Sequence, residues 1–200
     1  MLFLLFSLIQ SMPVPKRYPG ISFPINEGLV KLELFADPLC PNCLTIWPTM
    51  KYLMGNFSTQ LQVIVHLVPL PYHTWSFIIT QTLMAVNSIN NSLAQAMIND
   101  LYNGSQDLFS NSATATLSES QVLEKALQYA STTFSIDYDK LKEEYNNQNM
   151  NARIEFKFAA EHEVSGTPTL FLNGVDAGYD EITYDIVAKD IQNCLNTPKI

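Results

Sequence analysis

"LVKLELFADPLCPNCLTIWPTM", residues 29–50, decides the fold. Leu29–Phe35 is an apolar-rich, alternating run with the period of a β-strand, and it stops at the turn-like Ala36-Asp37-Pro38. Cys40 and Cys43 follow, and then Leu44, Trp47, Tyr52 or Leu53, and Phe57 recur near helical spacing. A helix is therefore expected directly after Cys40. Pro41 suits its first position, where a missing amide costs nothing. Pro48 is expected to kink the helix or end its first turns, because proline lacks an amide donor and clashes with the preceding turn.

Working outward, "LQVIVHLVPLP", residues 61–71, is a β-branched apolar run stopped by prolines and reads as a second, well-buried strand. Strand, helix and strand in this order make a βαβ unit whose right-handed crossover sets the two strands parallel. The cysteines then sit at the C-terminal end of the first strand, where functional groups gather in open α/β folds. From Thr74 to about Val164 the period turns helical, with stripes at Ile79, Leu83 and Val86, at Leu93, Met97 and Leu101, and at Val122, Ala126 and Tyr129. Residues 103–120 form a polar connection in which Ser118 or Ser120 caps the next helix. "TPTLFLNGVDAGY", residues 167–179, reads as a β-hairpin with an Asn-Gly turn. Ile186 or Val187, Ile191, and Cys194 or Leu195 line a closing amphipathic helix. The expected organisation is a leader over 1–18, an α/β unit built from 19–73 and 165–200, and an inserted helical subdomain over 74–164.

The 200 residues are 47% hydrophobic, enough for a full core. A net charge of -8 with 11 unclustered basic residues argues against nucleic acid and against an anionic membrane surface, leaving proteins or small molecules as partners. The initial "MLFLLFSLI" is too short to span a bilayer, so no integral membrane span is expected, and it resembles the apolar segment of a secretory signal without a preceding basic residue. Asn-x-Ser sequons at Asn56, Asn90 and Asn103 fit a secreted glycoprotein. The expected location is outside the cell or in the endoplasmic-reticulum lumen, where cysteine pairs persist as disulfides. Oligomeric state leaves no signature in the chain.

Cys40 and Cys43 could form a redox pair, half of a metal site or a structural staple. A structural zinc site needs about four ligands, usually from two such pairs. Cys194 is remote, and His66, His73 and His162 show no paired spacing, so no metal is expected. A bridge across three residues closes too short a loop to stabilise much. A dithiol at a helix start has a stronger logic, because free backbone amides and the helix dipole favour a thiolate on the first sulfur. Cys40 is thereby assigned as the attacking thiol and Cys43 as the resolving one.

The strand followed by "DPLCPNC", the helix containing Trp47 and Pro48, the helical insert and the later "VSGTPTLFLNG" together resemble the thioredoxin superfamily, in its DsbA-like branch, over nearly the whole mature chain. The resemblance implies an α/β thioredoxin-like fold, a central mixed sheet flanked by helices, with an inserted all-helical subdomain. It also implies a thiol-disulfide oxidoreductase that exchanges with protein or peptide thiols and disulfides and needs no organic cofactor or metal. Thr167 and Pro168 are implied as a cis-proline turn beside the redox pair, offering backbone groups to an extended substrate peptide.

The chain departs from the family pattern in places. The buried acid six residues before the first cysteine is here Leu34, and Glu33 is one residue off, which in a strand means the opposite face. Either a bulge brings Glu33 round, or another group such as Asp37 handles the proton. Leu39 stands where thioredoxin carries tryptophan, which disfavours a thioredoxin-type reductase. His73 follows the second strand and is a candidate modulator of Cys40, a boundary histidine being the plainer reading. His66 reads as a hydrogen-bonded core histidine, His162 as solvated, and Cys194 as core packing. Two other functions stay open. One is a peptide-binding or chaperone module whose disulfide is inert; the other is a kappa-type glutathione transferase with glutathione as co-substrate.

Overall fold

The computed structural model describes residues 15, 17–23 and 29–197, so the leader expected over 1–18 lies almost wholly outside the described residues. Five strands form one sheet in the order β1-β3-β2-β4-β5. They are β1 (Ile21–Phe23), β2 (Val30–Ala36), β3 (Leu61–Leu67), β4 (Thr169–Leu172) and β5 (Val175–Asp176). β2 and β3 run parallel in the register Leu32↔Val63 and Leu34↔Val65, joined through helix α1 (Pro41–Asn56). β1 is antiparallel to β3, and β4 to β2, so the sheet is mixed. This is the thioredoxin-like α/β fold expected from the sequence.

Alternation along β2 sorts the core. Leu32, Leu34 and Ala36 pack with Trp47, Met50 and Leu53 of α1 and with Val187 and Ile191 of α7 (Tyr184–Asn196). Phe35 points to the other face, into a smaller cluster with Val68, Leu70, Ala159 and Phe171. Helix α1 continues through Pro48 and is not ended by it. A proline inside a helix costs about 3 kcal/mol. Burying Trp47, Met50 and Leu53 on either side of it, at roughly 1.5–3 kcal/mol each, outweighs that cost.

Between β3 and β4 lie α2 (Ser76–Ile89), α3 (Asn91–Leu101), a 3₁₀ turn (Ser105–Phe109), α4 (Glu119–Phe134), α5 (Tyr138–Asn147) and α6 (Asn149–Glu161). Helix α2 is buried nearly all round because α3, α4, α5 and α6 pack against it. Ser118 caps α4 in a reciprocal pair with Gln121. The β4–β5 hairpin turns at Asn173 and Gly174, both with positive φ, the geometry that an Asn-Gly turn supplies. Cys194 is only partly buried at the edge of the core. His162 is not solvated as expected. It ends α6 with Nδ1 2.8 Å from the Phe158 carbonyl, and its ring centroid lies 4.2 Å from that of Phe158 and 5.7 Å from that of Phe171.

Candidate active site

The two cysteines are set by the end of one strand and the start of one helix. Cys40 is the N-cap residue of α1 with extended backbone (φ -77°, ψ 122°), and Pro41 follows at the first helical position. No side chain caps this helix. The backbone amides of Asn42 and Cys43 therefore turn toward the Cys40 sulfur, in the field of the helix N-terminus. Cys40 is 4% exposed, while Cys43, one turn in, is fully buried. Both are free thiols in this structure.

Across from them, the Thr167–Pro168 peptide is cis, and the Thr167 carbonyl accepts from Cys40 Sγ at 3.5 Å. The Thr167 hydroxyl is buried beside the two sulfurs and favours the anionic form of both. Sequence positions 40 and 167 thus meet in one site. They do so because β2 and β4 are antiparallel neighbours and the turn before β4 lies beside the end of β2.

The two thiols are electrically unequal. The Cys43 thiol donates to the Cys40 sulfur, and with the Thr167 hydroxyl and the two backbone amides it outweighs the cost of burial, pulling Cys40 down to about 5. Cys43 is pushed well up, first by burial, then by the hydrogen bond its thiol donates to Cys40 and by the charge on Cys40. At neutral pH the pair therefore holds a thiolate on Cys40, almost covered at the helix start, and a protonated thiol on Cys43 beneath it. A thiolate at a helix N-terminus beside a second, more deeply buried thiol is an arrangement suited to disulfide exchange.

Asp37, read from sequence as a candidate acid, is a fully buried clamp. Its Oδ1 accepts from the Leu39 amide at 2.7 Å and from the Ser76 hydroxyl at 2.7 Å, and its Oδ2 accepts from the Leu70 amide at 2.6 Å. His73 Nδ1 lies 3.0 Å from Oδ2, close enough for an ion pair but off the line a hydrogen bond needs. The Asp37 carbonyl accepts from the Cys40 amide and the Tyr102 hydroxyl, both at 3.0 Å. One residue thus ties the turn before Cys40 to the loop after β3, the start of α2 and the end of α3.

Tyr102 gave no signal in the sequence. It is nearly fully buried, with its ring 5.2 Å from Trp47, and burial next to Cys43 and Asp37 keeps its phenol protonated. Leu34 is fully buried on the cysteine side of the sheet, so the position of the expected acid is apolar.

Glu33 points to the opposite face, and its partners there are not the cysteines. Tyr18 donates a short hydrogen bond to its Oε1 at 2.5 Å, and His66 Nε2 lies 3.2 Å from the same oxygen. Glu155 of α6 approaches His66 Nδ1 at 3.7 Å and accepts from the Gly20 amide at 2.6 Å. Burial opposes both charges, but the mutual bonds win, so Glu33 is held below and His66 above its ordinary value. Glu155 could not be found from sequence, since only folding brings it to His66. Among the described residues no group of three or more His, Cys, Asp or Glu side chains could hold a metal ion.

The family model described as Thioredoxin matches residues 26–193, and the chain belongs to that family. No curated protein matches the chain. Among solved structures, the chain is similar to oxidised BdbD from Bacillus subtilis, at 16% identity and a TM-score of 0.69, over 89% of this chain and 94% of that one. It is also similar to the thiol-disulfide exchange protein alpha-DsbA2 from Wolbachia pipientis, at 14% identity and a TM-score of 0.65, over 87% and 86%. A periplasmic thioredoxin-like protein from Salmonella enterica serovar Typhimurium follows at 13% identity and a TM-score of 0.61, over 89% and 91%. At these identities the likeness concerns the fold.

Proposed function

We propose that this thioredoxin-family chain is a thiol-disulfide oxidoreductase acting on protein or peptide thiols and disulfides. Cys40 is the attacking thiol, Cys43 the resolving thiol, and the Thr167–Pro168 turn shapes the groove that holds an extended substrate strand. The observation that carries this reading is the placement of Cys40 at the bare N-terminus of α1, one turn above the buried Cys43 and against the Thr167 carbonyl. In the reduced protein, the Cys40 thiolate attacks a substrate disulfide, forming a mixed disulfide and releasing one substrate thiolate. The Cys43 thiolate then attacks Cys40 Sγ, releases the second substrate thiolate and leaves the Cys40–Cys43 disulfide. Two electrons pass to the substrate, and the reverse sequence passes a disulfide outward.

A secretory or other extracytoplasmic setting fits the reading. The sequon residues Asn56, Asn90 and Asn103 are all exposed, as glycosylation requires, and among the described residues no helix is long and apolar enough to cross a membrane. The solved structures named above include a thiol-disulfide exchange protein and a periplasmic one.

The apolar Leu34 favours a second reading, since no acid lies there to accept the Cys43 proton. The protein would then hold extended peptides through the Thr167–Pro168 edge while its disulfide stays inert. Equilibration in graded glutathione buffers, with the Cys40–Cys43 state read by alkylation and mass spectrometry, separates the two. A reversible midpoint between roughly -120 and -210 mV is expected for the redox catalyst. A pair that stays oxidised below roughly -300 mV overturns it in favour of the binding module. Full turnover with glutathione by the Cys43→Ser protein would instead assign it to glutathione transfer.

A further inference from the structure

Where β3 ends, the loop that follows it and the middle of α6 enclose a pocket of about 440 Å³. Leu70, Pro71, Phe77 and Phe156 give it an apolar lining, with Arg153 and Lys157 of α6 beside them. Phe156 is 47% exposed, so an aromatic ring is left open to a partner. His73 belongs to this lining and also to that of a second cavity, of about 410 Å³, which Leu39 and Pro41, the two neighbours of Cys40, help to form. The two spaces thus share one side chain.

The charge of this lining runs against that of the chain. The sequence carries 19 acidic and 11 basic residues, yet besides His73 the charged side chains lining the pocket are Arg153 and Lys157. Both are exposed, and among the described residues every ion pair involves His66 or His73, so no carboxylate neutralises either cation. Glu161, one turn beyond Lys157, lies outside the lining. The Asp37 carboxylate against His73 is spent on the Leu39 and Leu70 amides and the Ser76 hydroxyl, and it offsets any charge the imidazole carries. Thr74, the remaining polar side chain of the lining, is neutral and sets no sign. Cations on a solvated helix face are ordinary, and so is a single exposed aromatic ring. Two cations one helical turn apart, bordering an apolar hollow, complement a group that is apolar at its centre and anionic at its edges. In a peptide that group is an aromatic residue flanked by glutamate or aspartate, its ring against Phe77 and Phe156 and its carboxylates within reach of Arg153 and Lys157.

We propose that this pocket docks an acidic, aromatic segment of the protein substrate whose cysteine reacts at Cys40, with Arg153 and Lys157 selecting the acidic flanks. The shared His73 favours a peptide over a free acid, since a chain lying against Leu39 and Pro41 needs only to pass that ring to enter the pocket. The proposal rests on the oxidoreductase reading for the identity of the partner and adds to it a docking preference.

The test uses the whole protein and fluorescein-labelled synthetic peptides without cysteine. One has a central tryptophan flanked by glutamates, a second has glutamines in their place, and a third keeps the glutamates but has serine for tryptophan. Anisotropy at low ionic strength gives each Kd. The net charge of -8 repels acidic peptides as a whole, so a preference for glutamate over glutamine reports the local cations and not the overall field. The first peptide is expected to bind about tenfold tighter than the second, about threefold for each exposed ion pair, and tighter than the third. Arg153→Gln and Lys157→Gln should each remove about threefold, and the double variant should abolish the preference. Both side chains are exposed and glutamine suits a helix, so these variants read binding and not folding. Equal or weaker binding of the glutamate peptide, or a preference that survives the double variant, would overturn the dock. So would capture of dodecanoate without capture of the peptide. Either result leaves the oxidoreductase reading untouched, because no cysteine reacts in this assay. A cysteine is then placed three, six or nine residues from the tryptophan, spans of about 10, 20 and 30 Å. At least one of these peptides should form a mixed disulfide with the oxidised protein about tenfold faster than its glutamine counterpart, and the double variant should remove the gain. Binding without any gain in rate would overturn the link to Cys40. If no peptide of either kind reacts, the oxidoreductase reading falls and the substrate dock with it.

Discussion

Replacing Cys43 by alanine removes the largest influence on the Cys40 thiol. In the native protein Cys40 is pulled from 9.0 to about 5, and the hydrogen bond donated by Cys43 contributes most to that fall. Losing a hydrogen bond to a charged group, worth about 1.5–3 kcal/mol, raises that midpoint by about one to two pH units, so at pH 6 the thiolate falls from about 90% to between about 50% and 10%. Alkylation of Cys40 by iodoacetamide at pH 6 should therefore slow about two- to ninefold in the Cys43→Ala protein. The thiolate absorbance near 240 nm should titrate at correspondingly higher pH. The same shift acts on stability. Because the folded value lies below the unfolded one, the contribution is complete above the unfolded value and is lost as pH falls through about 5. At pH 7 only the interval from 5 to 7 is expressed, about 2.7 kcal/mol, and solvent screening at this shallow site reduces it to roughly 1–2 kcal/mol. The reduced protein should accordingly lose roughly 1–2 kcal/mol more than its Cys40→Ser variant between pH 7 and pH 4.5, read from urea midpoints. A native Cys40 midpoint at or above about 8, or a midpoint unmoved by Cys43→Ala, would refute the reasoning.

Three further expectations concern the scaffold. His66→Leu strands Glu33 and Glu155 as buried carboxylates without their shared partner, so it should cost about 3–5 kcal/mol in urea unfolding at pH 7. In the native protein the His66 contribution is complete below the unfolded histidine range and fades as pH rises through its raised folded value. That of Glu33 fades as pH falls through its lowered one, and a stability–pH profile without this two-sided loss would contradict the cluster. Gly20→Ala drives a Cβ into Ile64 Cγ2 at a φ of +96°, so a fall of several degrees in melting temperature is expected, and an unchanged melt would count against the β1–β3 register. Ser118→Ala removes one side of the reciprocal cap on α4 and should cost about 1 kcal/mol by chemical denaturation, while Ser120→Ala, outside the cap position, should cost clearly less.

What the sequence determined by itself was local. The alternation before Cys40, the helical period after Pro41 and the β-branched run at 61–67 follow from side-chain spacing within a few residues, and together they impose the parallel β2–α1–β3 unit. The Asn-Gly turn and the Ser118 cap were legible for the same reason, since a turn or cap is specified by the residues that form it. Even the opposite facing of Leu34 and Glu33 was a consequence of the strand period. Only the tertiary structure decided the rest. Local rules kink α1 at Pro48 or end its first turns there, and the burial of Trp47, Met50 and Leu53 against the sheet carries the helix through it. Asp37 has its donors at positions 39, 70 and 76, and Glu33, His66 and Glu155 come from three separate elements. Gln106 and Asp107 come to line one cavity with Leu39 and Pro41, the neighbours of Cys40, only in the folded chain. Contacts between groups so far apart along the chain have no period and no fixed spacing. The free energy that selects them comes from excluding water between surfaces that exist only after the elements have formed, so they leave no mark in a sequence read one stretch at a time.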